Sequence, residues 1–145
     1  MRKLAFMLSL ILTAPALSQT KINWKTLEDA RWEEKYLEEY DAYYYYPHFG
    51  PSVKGLEGQE VVLKGHMLIL GTDEKMYVLS RYPYASCFFC GRGGPDSIVE
   101  LKLKPGHPNF GMDQRVTIKG RLKLNQDDIA QCNYILEMAE PHKRN

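Results

Sequence analysis

"VVLKGHMLI", residues 61–69, and "VTIKGRLKL", residues 116–124, are two long aliphatic segments built alike. Each sets a lysine and a glycine in the middle of a run of β-branched and leucine side chains, a composition that suits a pleated, half-buried strand. A glycine inside a strand marks a bend, a bulge or the close approach of another backbone. Two long strands that bend at Gly65 and Gly120 can each serve two neighbours, and that is how a small sheet curls round and closes. The pair therefore predicts a barrel.

The flanking sequence supplies the other strands. "GTDEK", residues 71–75, reads as a hairpin turn between "VVLKGHMLIL" and "MYVLSRYP". "SIVELKLK", residues 97–104, alternates, with Ile98, Glu100 and Lys102 facing one way and Val99, Leu101 and Leu103 the other. In the fourth segment Val116, Ile118, Gly120, Leu122 and Leu124 share a face, and "CNYILEMAE", residues 132–140, reads as the last strand. Residues 58–140 are thus expected to form a mainly β, five-stranded OB-like barrel.

Ahead of it lies an arm, residues 19–57. "NWKTLEDARWEEKYLEEYDA", residues 23–42, reads as a helix, because Trp32, Tyr36 and Tyr40 recur every fourth residue with glutamates on the other side. The tyrosine run 43–46 favours extended backbone, alternating between core and surface, and Pro47, Gly50 and Pro51 are expected to end it. Residues 141–145 make a polar tail.

The opening "MRKLAFMLSLILTAPALSQT" has two basic residues, an apolar run from Leu4 to Leu12 and small residues before Gln19, the pattern of a secretory signal peptide cleaved near Ser18. The apolar run is shorter than the ~20 residues that cross a bilayer. Export makes the expected home periplasmic or secreted. Without residues 1–18, 127 residues remain, with 17 basic against 18 acidic. A nearly neutral chain has no basic footprint for a phosphate backbone, so nucleic acid is not an expected partner, and no further apolar run predicts a membrane span. The chain is expected to be a monomer.

Chemistry concentrates in "YPYASCFFCGRGGPDS", residues 82–97. Cys87 and Cys90 have the spacing that brings two thiolates to one zinc ion across a tight turn. A closed site needs four ligands, and no second Cys-x-x-Cys exists, so Cys132, His66, His107, Asp96 or Glu100 would have to complete it. Three other readings stay open: a short-loop disulfide, a redox catalyst, or an apolar plug of Phe88 and Phe89 with incidental thiols. The redox reading is weakened by "GRGGP", which prevents a helix from starting at the pair. His48 and His142 are scattered, Asp127 and Asp128 suit a turn, and no hydrolase or phosphate-loop motif occurs.

"NWKTLEDARWEEKY", "YYPHFGPSVKGLEGQEVVLKGHML", "ASCFFCGRGGPDSIVEL" and "VTIKGRLKLNQDDIAQCNYILEMAE" together resemble an uncharacterised family of small exported proteins from Bacteroidetes-type bacteria with an SCFFCG motif. That family is distantly similar to a wider domain-of-unknown-function family of Gram-negative exported proteins, met near transport genes, some of them metal-related. The resemblance implies an OB-like barrel in the cell envelope and no particular activity. It expects a tyrosine where His66 stands and an apolar residue at Cys132, so it does not carry those two over as ligands. The combined expectation is an exported, non-catalytic binding module that takes zinc or another metal through Cys87 and Cys90 and assists a transport system, with a protein partner in the envelope. A small thiol–disulfide protein, or a domain that docks a protein or glycan without metal, are the alternatives.

Overall fold

The computed structural model describes residues 19–143; the expected signal peptide and the last two residues of the tail lie outside them. In chain order the elements are strand β1 (Thr20–Lys21), helix α1 (Trp24–Leu27), strands β2 (Ala30–Leu37) and β3 (Ala42–Phe49), helix α2 (Pro51–Lys54), and strands β4 (Glu60–Leu70), β5 (Met76–Ser80), β6 (Ile98–Leu103), β7 (Arg115–Leu124) and β8 (Tyr134–Pro141). Strands β4–β5–β6–β8–β7 pair in that order, and β7 pairs back onto β4, closing the sheet. Strands β6 and β8 run parallel and the other barrel pairs antiparallel. The protein is mainly β, a closed five-stranded OB-like barrel.

The two central glycines make the closure possible. Strand β4 pairs with β7 from Glu60 to His66 and with β5 from His66 to Leu70, so its partners change beside Gly65. A Cβ on Gly65 would lie 2.6 Å from the Ser80 carbonyl oxygen and 2.9 Å from the Trp24 ring. Strand β7 is shared the same way, with β4 up to Arg121 and with β8 from Ile118 to Leu124. Its ladder to β8 shifts register between Lys119 and Arg121, and a Cβ on Gly120 would come within 3.0 Å of the Glu137 carbonyl oxygen.

Inside, Leu63, Met67, Leu79, Val99, Ile118, Leu122 and Leu136 fill the barrel. Helix α1 packs on the barrel through the buried Leu27: the Trp24 indole N–H donates to the Lys64 carbonyl at 2.8 Å, and the buried Tyr134 hydroxyl donates to the Leu27 carbonyl at 2.7 Å. Asn23 and Thr26 cap this single turn reciprocally, each side chain accepting from the other's backbone N–H. The inward face of β6 is as expected, but Ile98 and Glu100 on its other face are buried too. The loops that carry Cys87 and Cys132 cover this outer face.

The helix expected within residues 23–42 is corrected by the structure: only Trp24–Leu27 is α-helical there, and β2 and β3 form an antiparallel hairpin. The spacing that suggested a helix is even-numbered, so Trp32, Tyr36 and Tyr40 fit a period of two as well as one of 3.6. What decides between them is the following tyrosine run, which supplies a partner strand in register, with Tyr36 opposite Tyr43 and Lys35 opposite Tyr44. The Tyr36 and Tyr43 rings lie 5.2 Å apart, and the Lys35 ammonium sits 3.5 Å from the centre of the Tyr46 ring. Asp41 turns the chain at the tip with a φ of 47°, a left-handed conformation that Asp tolerates. Pro47 does not end β3; a two-stranded ribbon leaves an unpaired edge, where proline is accommodated.

Candidate functional site

After β5 the chain must cross to the start of β6, and residues 81–97 do so in three single 3-10 turns, at Tyr84–Ser86, Phe88–Cys90 and Pro95–Ser97. Cys87 stands between the first two. Its N–H donates to the Tyr84 carbonyl at 3.2 Å, and the Cys90 N–H donates to the Cys87 carbonyl at 3.1 Å. Gly91 closes the turn with a φ of 76°, and a side chain there would meet no neighbour within 4 Å. The glycine is therefore needed for its conformation and not for space.

This turn holds the two sulfurs 3.9 Å apart. Cys87 is fully buried against Leu68, Val78 and Ile98, whereas Cys90 is exposed and its thiol donates to the Tyr84 carbonyl at 2.9 Å. Loss of hydration and the neighbouring Cys87 thiol hold the Cys90 thiol above the ordinary cysteine range. That is the opposite of what an attacking thiolate needs. All three cysteines are free thiols.

The other residues expected near the pair have separate duties. Cys132 packs on the same apolar cluster as Cys87, and burial, with the Glu100 charge, pushes its thiol up to about 12. The Glu100 carboxylate is buried, accepting from the Cys132 N–H at 3.0 Å and pairing with the Lys102 ammonium. His66 lies in the β4 ladder between Ser80 and Arg115, with Nδ1 3.4 Å from the Asp113 carbonyl oxygen. His107 stacks on Phe110 and bonds the Pro108 carbonyl through Nδ1. Asp96, whose partial burial raises its carboxyl above the usual range, lies near Glu28 and Arg81. Among the described residues no three His, Cys, Asp or Glu side chains gather around one point. Among the described residues, none of the side chains expected to complete a metal site stands with the two sulfurs.

A feature without a motif lies beside the pair. A cleft of about 360 Å³ is walled by Tyr43–Tyr45 of β3, by Phe88 and Phe89 between the two cysteines, by Met76, Pro95 and Ile98, and by Ile129–Asn133 of the loop between β7 and β8. The tyrosine wall and the β7–β8 loop brace each other. The Tyr44 hydroxyl donates to the Gln126 carbonyl at 2.9 Å and accepts from the Asn133 amide at 2.9 Å, and the Gln126 amide donates to the Pro47 carbonyl at 2.9 Å. These bonds dock the hairpin on the barrel. The tyrosine run and the Phe-Phe pair were the only hints of the cleft in the sequence, and nothing in their spacing says that they meet.

No protein-family model and no curated protein matches the chain. Among solved structures, the crystal structure of a DUF3299 family protein from Pseudomonas aeruginosa PAO1 is similar, with a TM-score of 0.54 and 17% identity over 88% of this chain and 99% of that one. At that identity the likeness shows a shared fold alone. It agrees with the distant Gram-negative likeness expected from the sequence. Among the described residues no helix is long and apolar enough to cross a membrane.

Proposed function

We propose that this chain is an exported, non-catalytic binding module of the periplasm or the secreted fraction, in which Cys87 and Cys90 take a thiophilic metal ion, zinc first among them. The observation that carries the reading is the 3.9 Å separation of the two sulfurs. Two thiolates bound to one tetrahedral zinc at about 2.3 Å lie roughly 3.5–4 Å apart, so the apo turn already has the spacing of the loaded one. Cys90 is on the surface, which gives an ion a way in. With two protein ligands the remaining positions fall to water or to a partner, which suits an ion that is handed on in support of a transport system more than one that holds a fold together.

The same residues favour the metal over a resting disulfide. A bond between the sulfurs requires them to close from 3.9 Å to about 2.05 Å, against the 3-10 turn that the backbone hydrogen bonds hold. The test is a competition titration of the reduced chain against a chromophoric zinc chelator, with free thiols counted in parallel. One ion per chain is expected, lost in Cys87→Ser and in Cys90→Ser and kept in Cys132→Ser. Failure of the fully reduced chain to take any zinc would defeat the reading.

A further inference from the structure

The aromatic cleft is a second feature, separate from the sulfur pair, and its lining restricts what it can hold. Its volume of about 360 Å³ falls in the range of small-molecule sites. Among the described residues no Asp, Glu, Lys, Arg or His lines it. A charged ligand would give up water there without gaining a partner. The polar side chains present are largely committed to the protein. The Asn133 amide donates to the Tyr44 hydroxyl and to the Asn125 carbonyl at 2.9 and 3.1 Å, and the Gln131 amide donates to the Asp128 carboxylate at 2.6 Å. A sugar buries many hydroxyls, each of which needs a partner, and these walls have few to offer.

What the walls do offer is ring and aliphatic surface. Phe88 and Phe89 meet edge to face, with ring centres 5.6 Å apart. Of the nine large hydrophobic side chains exposed among the described residues, four stand at this cleft: Tyr43, Tyr45, Phe89 and Ile129. They come from three separate segments of the chain, so their convergence is a product of the fold. Exposed apolar surface gathered in one concave place marks a binding site, where the same residues scattered singly would not.

We propose that the cleft binds a small, uncharged, ring-bearing hydrophobic molecule. The Tyr43 and Tyr45 rings and Phe89 form its rim and Met76 and Ile98 part of its walls. The test is a fluorescence titration of the chain with N-phenyl-1-naphthylamine, an uncharged dye that brightens in apolar surroundings. Reductant and a metal chelator are present throughout, so the outcome is independent of metal binding at the cysteines. Saturable binding at one site per chain is expected. Phe89→Ala and Ile129→Glu alter exposed positions and leave the circular dichroism unchanged, and the glutamate should weaken the dye at least about tenfold by setting an unpaired charge against an apolar ligand. Met138→Glu, an exposed position outside the cleft, should leave binding unchanged. Absence of saturable binding, binding that ignores both cleft substitutions, or binding of cellobiose without any binding of the dye would each overturn the proposal.

Discussion

The barrel and the hairpin are both antiparallel β structure in large part, yet they meet opposite constraints. The barrel closes on itself, so its strands have no free edges, and its glycines serve close approach: at Gly65 the Ser80 carbonyl oxygen lies only 2.6 Å from where a Cβ would stand. The β2–β3 hairpin has two strands and exposed tyrosines, Tyr43 among them at 69% accessibility; its base is anchored by Trp32 and Phe49 against the buried Tyr134 ring, and the rest is held by a few side-chain hydrogen bonds. A closed sheet spends its apolar side chains on its own interior. An appended ribbon leaves them available to form one wall of a cleft, and the cysteine loop, also outside the barrel ladder, forms another. In this molecule the candidate sites are built mainly from segments outside the barrel ladder, with Met76 and Ile98, at the starts of β5 and β6, as the barrel's own share of the cleft.

Substitution at the barrel's bend should show the largest effect. Gly65→Ala places a methyl 2.6 Å from a backbone oxygen that cannot rotate away, so β4 and β5 must separate. A loss of about 2–3 kcal/mol in denaturant unfolding is expected, the cost of overpacking a tight core. A variant as stable as the parent would mean that the barrel is not closed at this point.

Removing the hairpin's anchor should act locally. Tyr44→Phe deletes the hydroxyl that joins β3 to the Gln126 carbonyl and the Asn133 amide, at a cost of about 1 kcal/mol. Hydrogen exchange should quicken at the amides of β2 and β3 and stay unchanged in β4 and β7. Equal acceleration in both would show that hairpin and barrel open as one unit, and the contrast drawn between them would fail.

Alkaline pH should produce the smallest change. The Cys132 thiol is raised by burial, and then by Glu100, from an ordinary value near 9 to about 12. Between those values the folded chain holds a proton that the unfolded chain has released, so stability is complete below pH 9 and falls as pH rises towards 12. By pH 9.5 the loss is under about 1 kcal/mol, and Cys132→Val should flatten that part of the curve. An identical slope in the variant would show that the thiol titrates normally.

The sequence revealed the barrel because its signal is local and redundant: five strand-like segments, two of them cleanly alternating, and two mid-strand glycines each point to it. The hairpin was hidden by a coincidence of periods, since Trp32, Tyr36 and Tyr40 satisfy a helix and a strand equally and the deciding partner strand lies further along the chain. Of the candidate sites, the cysteine turn was legible because Cys87, Cys90 and Gly91 are adjacent in sequence, and the glycine's left-handed φ follows from that turn. Whether any other side chain joins the two sulfurs, and the existence of the cleft, were not, because both depend on which distant segments meet. Glu100 looked available in the sequence, whereas in the fold its carboxylate serves the Cys132 N–H and Lys102.

X-ray absorption at the zinc edge, on reduced chain loaded with one equivalent of zinc, tests the central claim most directly. The sulfur pair 3.9 Å apart predicts two sulfur neighbours at about 2.3 Å with lighter oxygen or nitrogen neighbours completing the shell, and loss of the sulfur signal in Cys87→Ser. A spectrum with oxygen and nitrogen neighbours only, or a chain that retains no zinc while all three thiols remain reduced, would contradict it.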